Sequence, residues 1–403
     1  MSVQTFASDT LDAPAVAVCV GCGGVGKTTV AAALAVEAAR RGQRVLVLTI
    51  DPARRLADAL GVAALGNEPQ DLPREALAAF GVPEGGALSA LMLDMKRTFD
   101  DLVERFAETP ESRKRILQNP IYQHVSDALS GSVEYSAMEK VFELHESGRF
   151  DLIVVDTPPA QHALDFLEAP QRLVEFLESR LVKMAIHPAF SAGRFGFRLF
   201  QRGTRRVLQV IERITGIGFL EDISEFLLAF EGMSEGFRER AEKVRALLLG
   251  PEATFVLVTG PGRESIEQAG QFLDRLEAYH VRLRGVLVNR LHLWPEGGSA
   301  PDLPEAENDR DLRTLAAALA ENEGEEFPAL EAACLAVETA REFAAWARRD
   351  ERAIRELRLR TERVDCYWGQ IPELARDVHD LAGLARIADL IFHGDGGTAR
   401  VEG

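Results

Sequence analysis

Cysteine is scarce in this chain, with four residues in 403, at Cys19, Cys22, Cys334 and Cys366. Thiols spread this widely build no disulfide framework, and a chain of this length does not need one to hold a core. Cys19 and Cys22 are spaced as C-x-x-C. One falls in a predicted strand and the other in a predicted turn, so joint metal binding would distort that turn. No uninterrupted apolar run is long enough to span a bilayer, and Met1 to Ala13 lacks the basic-then-apolar order of an export leader. The expected compartment is the cytoplasm, or a peripheral position at a membrane. Positive charge is in deficit, 46 Lys and Arg against 63 Asp and Glu, for a net charge of −17. Such a balance argues against broad binding to nucleic acid. Internal repeats are absent too, so a tandem two-copy architecture is not expected.

The informative residues begin at position 15. Ala15 to Val20 is a short apolar run, Gly21-Cys22-Gly23-Gly24-Val25-Gly26-Lys27-Thr28-Thr29 follows it, and Thr28 to Arg41 reads as a helix. A glycine-rich turn between strand and helix lets successive backbone N–H groups, from Gly21 to Thr29, converge on phosphate oxygens at the positive end of a helix. In that pattern Lys27 reaches the β/γ-phosphates and Thr28 gives its hydroxyl to Mg²⁺. The implied ligands are ATP and Mg²⁺.

Further apolar runs at Val45 to Ile50, Leu152 to Val155, Thr254 to Thr259 and Val286 to Val288 have the length and β-branched content of buried parallel strands. Helical patterns separate them. The predicted class is α/β, a P-loop NTPase with a mainly parallel doubly wound sheet. Turns at Gly21, Asp51 and Asp156 then gather at the carboxyl edge of that sheet. Residues 96–149 and 169–250 are too long and too helical for simple crossovers and read as an inserted helical subdomain, with Met92, Met95, Met138, Met184 and Met233 in or beside it. These methionines are either an adaptable client surface or ordinary core packing. Between Arg180 and Arg213 eight basic residues alternate with Phe190, Phe195, Phe197 and Phe200. This stretch is either a solvated basic face or a contact for an anionic membrane, an acidic partner or a hydrophobic client. Residues 295–309 read as an exposed loop, and 328–363 as a long, charged, solvent-facing helix.

Two acids end predicted strands. Asp51, in Asp51-Pro52-Ala53-Arg54-Arg55-Leu56-Ala57-Asp58, either orients a water for in-line attack on the γ-phosphate or caps a helix before Pro52. Asp156 closes an apolar strand, the arrangement that holds Mg²⁺ through water. Asn289, after Val288, offers an amide donor and acceptor suited to a base edge.

The three ordered motifs, Gly21 to Thr29, Asp51 to Asp58 and Asp156-Thr-Pro-Pro-Ala-Gln-His162, resemble the ArsA class of deviant-Walker ATPases. This class holds bacterial arsenite-pump ATPases and the eukaryotic ATPase that targets tail-anchored membrane proteins. The resemblance covers most of the chain, including the closing segment Ile371 to Ile391, and is strongest to the paired-subunit ATPases of high-GC bacteria. It implies one ATPase domain over 1–403, with Asp51 as the water-positioning acid of switch I, Asp156 to His162 as switch II, and Asn289 as the adenine contact. It further implies a dimer that couples Mg-ATP hydrolysis to handling of a membrane-linked client or anion-transport partner. The pattern departs from the family at Cys22, where members usually carry a signature lysine that crosses the dimer interface. A homodimer would lack that cation twice, which points to a heterodimer with a lysine-bearing paralogue, unless Arg54 or Arg55 supplies the charge. Other outcomes are a non-hydrolysing ATP-binding regulatory subunit and a membrane-positioning ATPase of the MinD or ParA type. Cys334 and Cys366 do not reproduce the clustered cysteines of arsenite pumps or the distal C-x-x-C of the targeting ATPase, so arsenite chemistry has weak support.

Overall fold

The computed structural model describes residues 15–51, 53–107, 109–119, 122, 133–158, 234–279, 281–295, 299–301, 309–323, 328–361 and 366–393. Eight strands among them form one sheet. They are β1 (Val16–Gly21), β2 (Arg44–Thr49), β3 (Gln70–Asp71), β4 (Ala87–Met92), β5 (Leu152–Asp156), β6 (Ala253–Thr259), β7 (Leu283–Leu291) and β8 (Tyr367–Pro372). Their spatial order is β3-β4-β2-β5-β1-β6-β7-β8. Every adjacent pair is parallel except β3 with β4. The α/β class with a mainly parallel sheet is thereby observed.

The central strands are covered on both faces, which is why they read as continuous apolar runs. Alternate side chains enter opposite layers. In β1, Ala17 and Cys19 join one core, while Val16, Val18 and Val20 join the other. Three strands escape the apolar-run criterion. β4, Ala-Leu-Ser-Ala-Leu-Met, has the composition of a helix; β8, Tyr-Trp-Gly-Gln-Ile-Pro, is a polar edge strand; β3 is two residues long.

The helices are α1 (Lys27–Arg40), α2 (Arg55–Leu60), α3 (Arg74–Ala79), α4 (Met95–Phe106), α5 (Pro110–Gln118) and α6 (Val133–Glu146). Beyond them come α7 (Ser234–Leu249), α8 (Arg263–Ala278), α9 (Asp309–Glu323), α10 (Ala329–Thr361) and α11 (Leu381–Phe392). Helix α1, rich in alanine, is buried along almost its whole length, packed between the sheet and α11. Its small side chains permit that close approach.

The opposite core takes Met138, Val141 and Phe142 of α6, Val244, Leu247 and Leu248 of α7, and side chains of α8 and α10. Helices α6 and α7 fall inside the two intervals read as a helical subdomain on the sheet, and they pack directly against it. Arg240 joins them, donating from Nε to Glu139 Oε1 at 2.7 Å and from Nη1 to Glu146 Oε2 at 2.6 Å. Residues 159–233, which include His162, Met184, Met233 and the basic aromatic stretch 180–213, lie outside the described residues, as do 296–298 and 302–308 of the expected exposed loop.

Helix α10 is charged and exposed over most of its surface, but Ala344, Ala347, Asp350, Ile354, Leu357 and Thr361 on one side are buried. Their spacing of three and four forms a helical stripe, which rests on β7 and α8.

Candidate nucleotide site

Parallel strands end on a common edge, and that edge assembles the site. Gly21 ends β1, Asp51 follows β2, Asp156 ends β5, and Asn289 lies near the end of β7. At this edge lies a cleft of about 870 Å³ lined by Gly24, Gly26, Lys27, Thr28, Asp51 and Asn289 among others, with Thr157, next to Asp156, also in its wall. A cleft of this size accommodates a nucleotide.

Two glycines of the loop are sterically required. Gly21 has φ +152°, and a Cβ there would stand 1.9 Å from the Val258 carbonyl oxygen. Gly26 has φ +89° and precedes α1; a Cβ there would stand 2.3 Å from Asn289 Nδ2. The loop therefore folds tightly against β6 and β7, leaving its outer rim, Gly23 and Gly24, exposed. Lys27 is 7% exposed and its Nζ donates to the Cys22 carbonyl oxygen at 2.7 Å, spanning the loop. Burial lowers its pKa, while Asp156 pulls it up. An ammonium held in a desolvated cradle interacts strongly with any anion that enters.

Asp156 is 1% exposed. Its Oδ2 accepts from Thr28 Oγ1 at 2.7 Å and from Thr49 Oγ1 at 2.8 Å. Its Oδ1 is buried without a hydrogen-bond partner. Burial raises the Asp156 pKa, and the two threonine hydroxyls oppose that rise. Thr49 Oγ1 also accepts from the Asp51 N–H at 3.2 Å, so one hydroxyl joins the carboxylate of β5 to the segment after β2.

The sequence profile of the anion-transporting ATPase (ArsA) family matches residues 15–311, which hold all these groups. The chain belongs to the anion-transporting ATPase family. Among curated relatives, ATPase GET3 of Rhodotorula glutinis is 30% identical over 280 residues, 69% of this chain and 70% of its own length. ATPase GET3 of Malassezia globosa is 27% identical over 281 residues, 70% and 73% of the two chains. ATPase get3 of Schizosaccharomyces pombe is 26% identical over 279 residues, 68% and 73% of the two chains. The chain is thus an ATPase, and ATP binding follows from that.

In this ATPase the residues present fit Mg-ATP. A buried carboxylate with one oxygen unpartnered beside a threonine hydroxyl is a donor set for a hydrated hard cation, and the glycine cradle with Lys27 suits phosphate. Asp51 lines the cleft, but it does not cap a helix before Pro52. Helix α2 starts only at Arg55, and Asp51 Oδ1 instead accepts from the Ala53 N–H at 2.9 Å. Arg55, 67% exposed, lies 3.7 Å from Asp51 Oδ2, and Arg54 is exposed just before α2. Asn289 is 7% exposed, with Nδ2 donating to the Val25 carbonyl oxygen at 2.8 Å. One amide proton is thus spent bracing the loop, which leaves the other and Oδ1 for the cleft.

Cys22 turns inward: it is 4% exposed, with Sγ 3.6 Å from the Ser265 carbonyl oxygen of α8. Burial raises its thiol pKa. Thr157, part of the Asp156 to His162 motif, donates from Oγ1 to the Cys19 carbonyl oxygen at 2.8 Å. Two groups were missed from sequence. Thr49 is a hydroxyl at the end of an apolar strand, and Arg290 lines the cleft beside Asn289. A polar residue interrupting a strand end was the available signal for Thr49.

Proposed function

We propose that this ATPase hydrolyses Mg-ATP as a dimeric switch that grips and releases a membrane-linked client or anion-transport partner. The observation that carries this reading is the hydroxyl chain Thr28–Asp156–Thr49–Asp51, which ties the phosphate loop to the segment proposed as switch I. Lys27 binds the β/γ-phosphates, and the N–H groups from Gly21 through Thr29 cradle them, with Gly23, Gly24, Val25 and Gly26 giving close approach. Thr28 and Asp156 would hold Mg²⁺ and its water shell, and the ion, when bound, neutralises charge developing on the phosphates. Asp51 orients the attacking water. Asn289 uses its remaining amide groups on adenine. Because Thr49 bonds both Asp156 and the Asp51 backbone, a change at the metal end is felt at Asp51, the requirement for a nucleotide-state switch.

Single-turnover hydrolysis at saturating protein tests the reading, with nucleotide binding measured in parallel. The wild type should hydrolyse ATP, and Lys27→Ala should lose about 10² to 10³ of the rate, the scale of a removed charge-stabilising donor. Tight binding with no turnover in the wild type would replace the switch with a non-hydrolysing regulatory subunit. The inward turn of Cys22 favours a heterodimer over a homodimer, since this loop presents no cation across an interface.

A further inference from the structure

Asn289 and Arg290 are consecutive in β7, yet both reach the phosphate loop. Asn289 Nδ2 donates to the Val25 carbonyl oxygen at 2.8 Å, and Arg290 Nη1 donates to that of Gly24 at 3.2 Å. In a regular strand neighbouring side chains face opposite sides of the sheet. The register explains the exception. Val288 pairs with Gln370 and Leu291 with Pro372, so β7 takes three steps where β8 takes two. This is a β-bulge, a device that re-aims a side chain. Arg290 carries its distortion, with φ 62°, the only positive φ at a non-glycine among the described residues. A side chain in that conformation is strained, and strain of this kind persists where function requires it.

What Arg290 receives in return is slight. It is exposed, has no ion pair among the described residues, and makes one bond to a neutral carbonyl. It lines the cleft together with Gly23, Gly24 and Lys27. Arg55, which also lines the cleft, is paired with Asp51 at 3.7 Å. Residue 22, on the same loop, is a thiol directed into the core.

We propose that Arg290 is a phosphate-contacting residue of the nucleotide site, a cation that the β7 bulge delivers in cis onto a loop whose residue 22 supplies none. On nucleotide binding its guanidinium exchanges the Gly24 carbonyl for phosphate oxygen, a charge-assisted and stronger partner. The inference rests on the nucleotide-site reading above. It concerns ground-state grip on the phosphates and leaves open a lysine arriving from a partner during hydrolysis.

The test is calorimetric titration of the full chain with adenosine, ADP and ATP in Mg²⁺, for the wild type, Arg290→Gly, Arg290→Asn and Lys27→Ala. Glycine and asparagine both accept the left-handed backbone, so neither strains the bulge. Both variants should weaken ATP and ADP by about ten-fold, the scale of one charged hydrogen bond, and leave adenosine unchanged. Equal weakening of all three ligands would overturn the proposal by making Arg290 a base or ribose contact, and no weakening would overturn it outright. A melting temperature at or above wild type is expected for Arg290→Gly; if it falls, Arg290→Asn, with its own melt, decides. Failure of Lys27→Ala to affect ATP binding would overturn the nucleotide-site reading itself, whatever the Arg290 variants do.

Discussion

Thr49 carries no charge, yet its hydroxyl donates to Asp156 and accepts from the Asp51 N–H. Single side chains hold the opposite end of the same strands as well. At the amino edge, Arg44 at the start of β2 donates from Nη2 to Asp151 Oδ1 at 2.6 Å and from Nε to Oδ2 at 3.1 Å, and its backbone N–H donates to Oδ2 at 2.8 Å. These bonds to Arg44 hold the Asp151 carboxyl below its ordinary value of 3.8. A carboxylate depressed in the folded state adds stability that is complete above the unfolded value and is lost as pH falls through the folded one. The stability gap between wild type and Asp151→Asn, read from urea midpoints, should therefore be constant from pH 7 to about pH 5 and shrink below about pH 4. A gap that widens on acidification would contradict the pairing. Both partners are nearly half exposed, so salt should narrow the gap.

The helices flanking the site combine apolar packing with single polar ties. Arg40 of α1 donates from Nη1 to Asp389 Oδ1 of α11 at 2.7 Å, and α10, besides its apolar stripe, is fastened to the end of β7 by a polar contact. Asp350, 1% exposed, accepts at Oδ2 from the His292 N–H at 3.0 Å, and His292 Nδ1 lies 2.8 Å from the same oxygen. The His292 ring also packs on Phe343 and Trp346 of the same helix. Because His292 follows Asn289 and Arg290 by only a few residues, α10 is joined to the strand that braces the phosphate loop. Asp350→Ala leaves the His292 N–H without its acceptor and should cost about 2 kcal/mol of unfolding free energy, measured by urea denaturation. Glu351→Ala, one position along on a more exposed face, should cost less than about 0.5 kcal/mol. Comparable losses from both would mean that the Asp350 contact fastens nothing.

For the molecule as a whole, the question is whether one chain makes a complete site. Cys22, on the phosphate loop, faces inward toward α8. On the heterodimer proposal, the chain alone should bind ATP but turn over slowly. A lysine-bearing paralogue should raise hydrolysis by about 10³, the lower scale of a cation supplied in trans, and Lys27→Ala in this chain should abolish that gain. Native mass measurement alongside the rate assay checks it. A stable ATP-bound homodimer with brisk turnover would refute the pairing. Among the described residues no helix is long and apolar enough to cross a membrane.

The amino-acid sequence by itself determined the class of fold, five of the eight strands, and the residues Lys27, Thr28, Asp51, Asp156 and Asn289 that the carboxyl edge brings together. These were legible because buried parallel strands write continuous apolar runs, and because glycine, lysine and strand-end acids have few other reasons to fall in that order. Tertiary structure alone decided what those residues touch. The strand state of β4, the inward turn of Cys22, the bond from Thr49 to Asp156 and the burial of Asp350 depend on partners more than twenty residues away, which local pattern does not encode. Arg290 shows the same limit most sharply: strand alternation sends it away from the loop, and only the bulge against β8, a matter of register between two strands, turns it back.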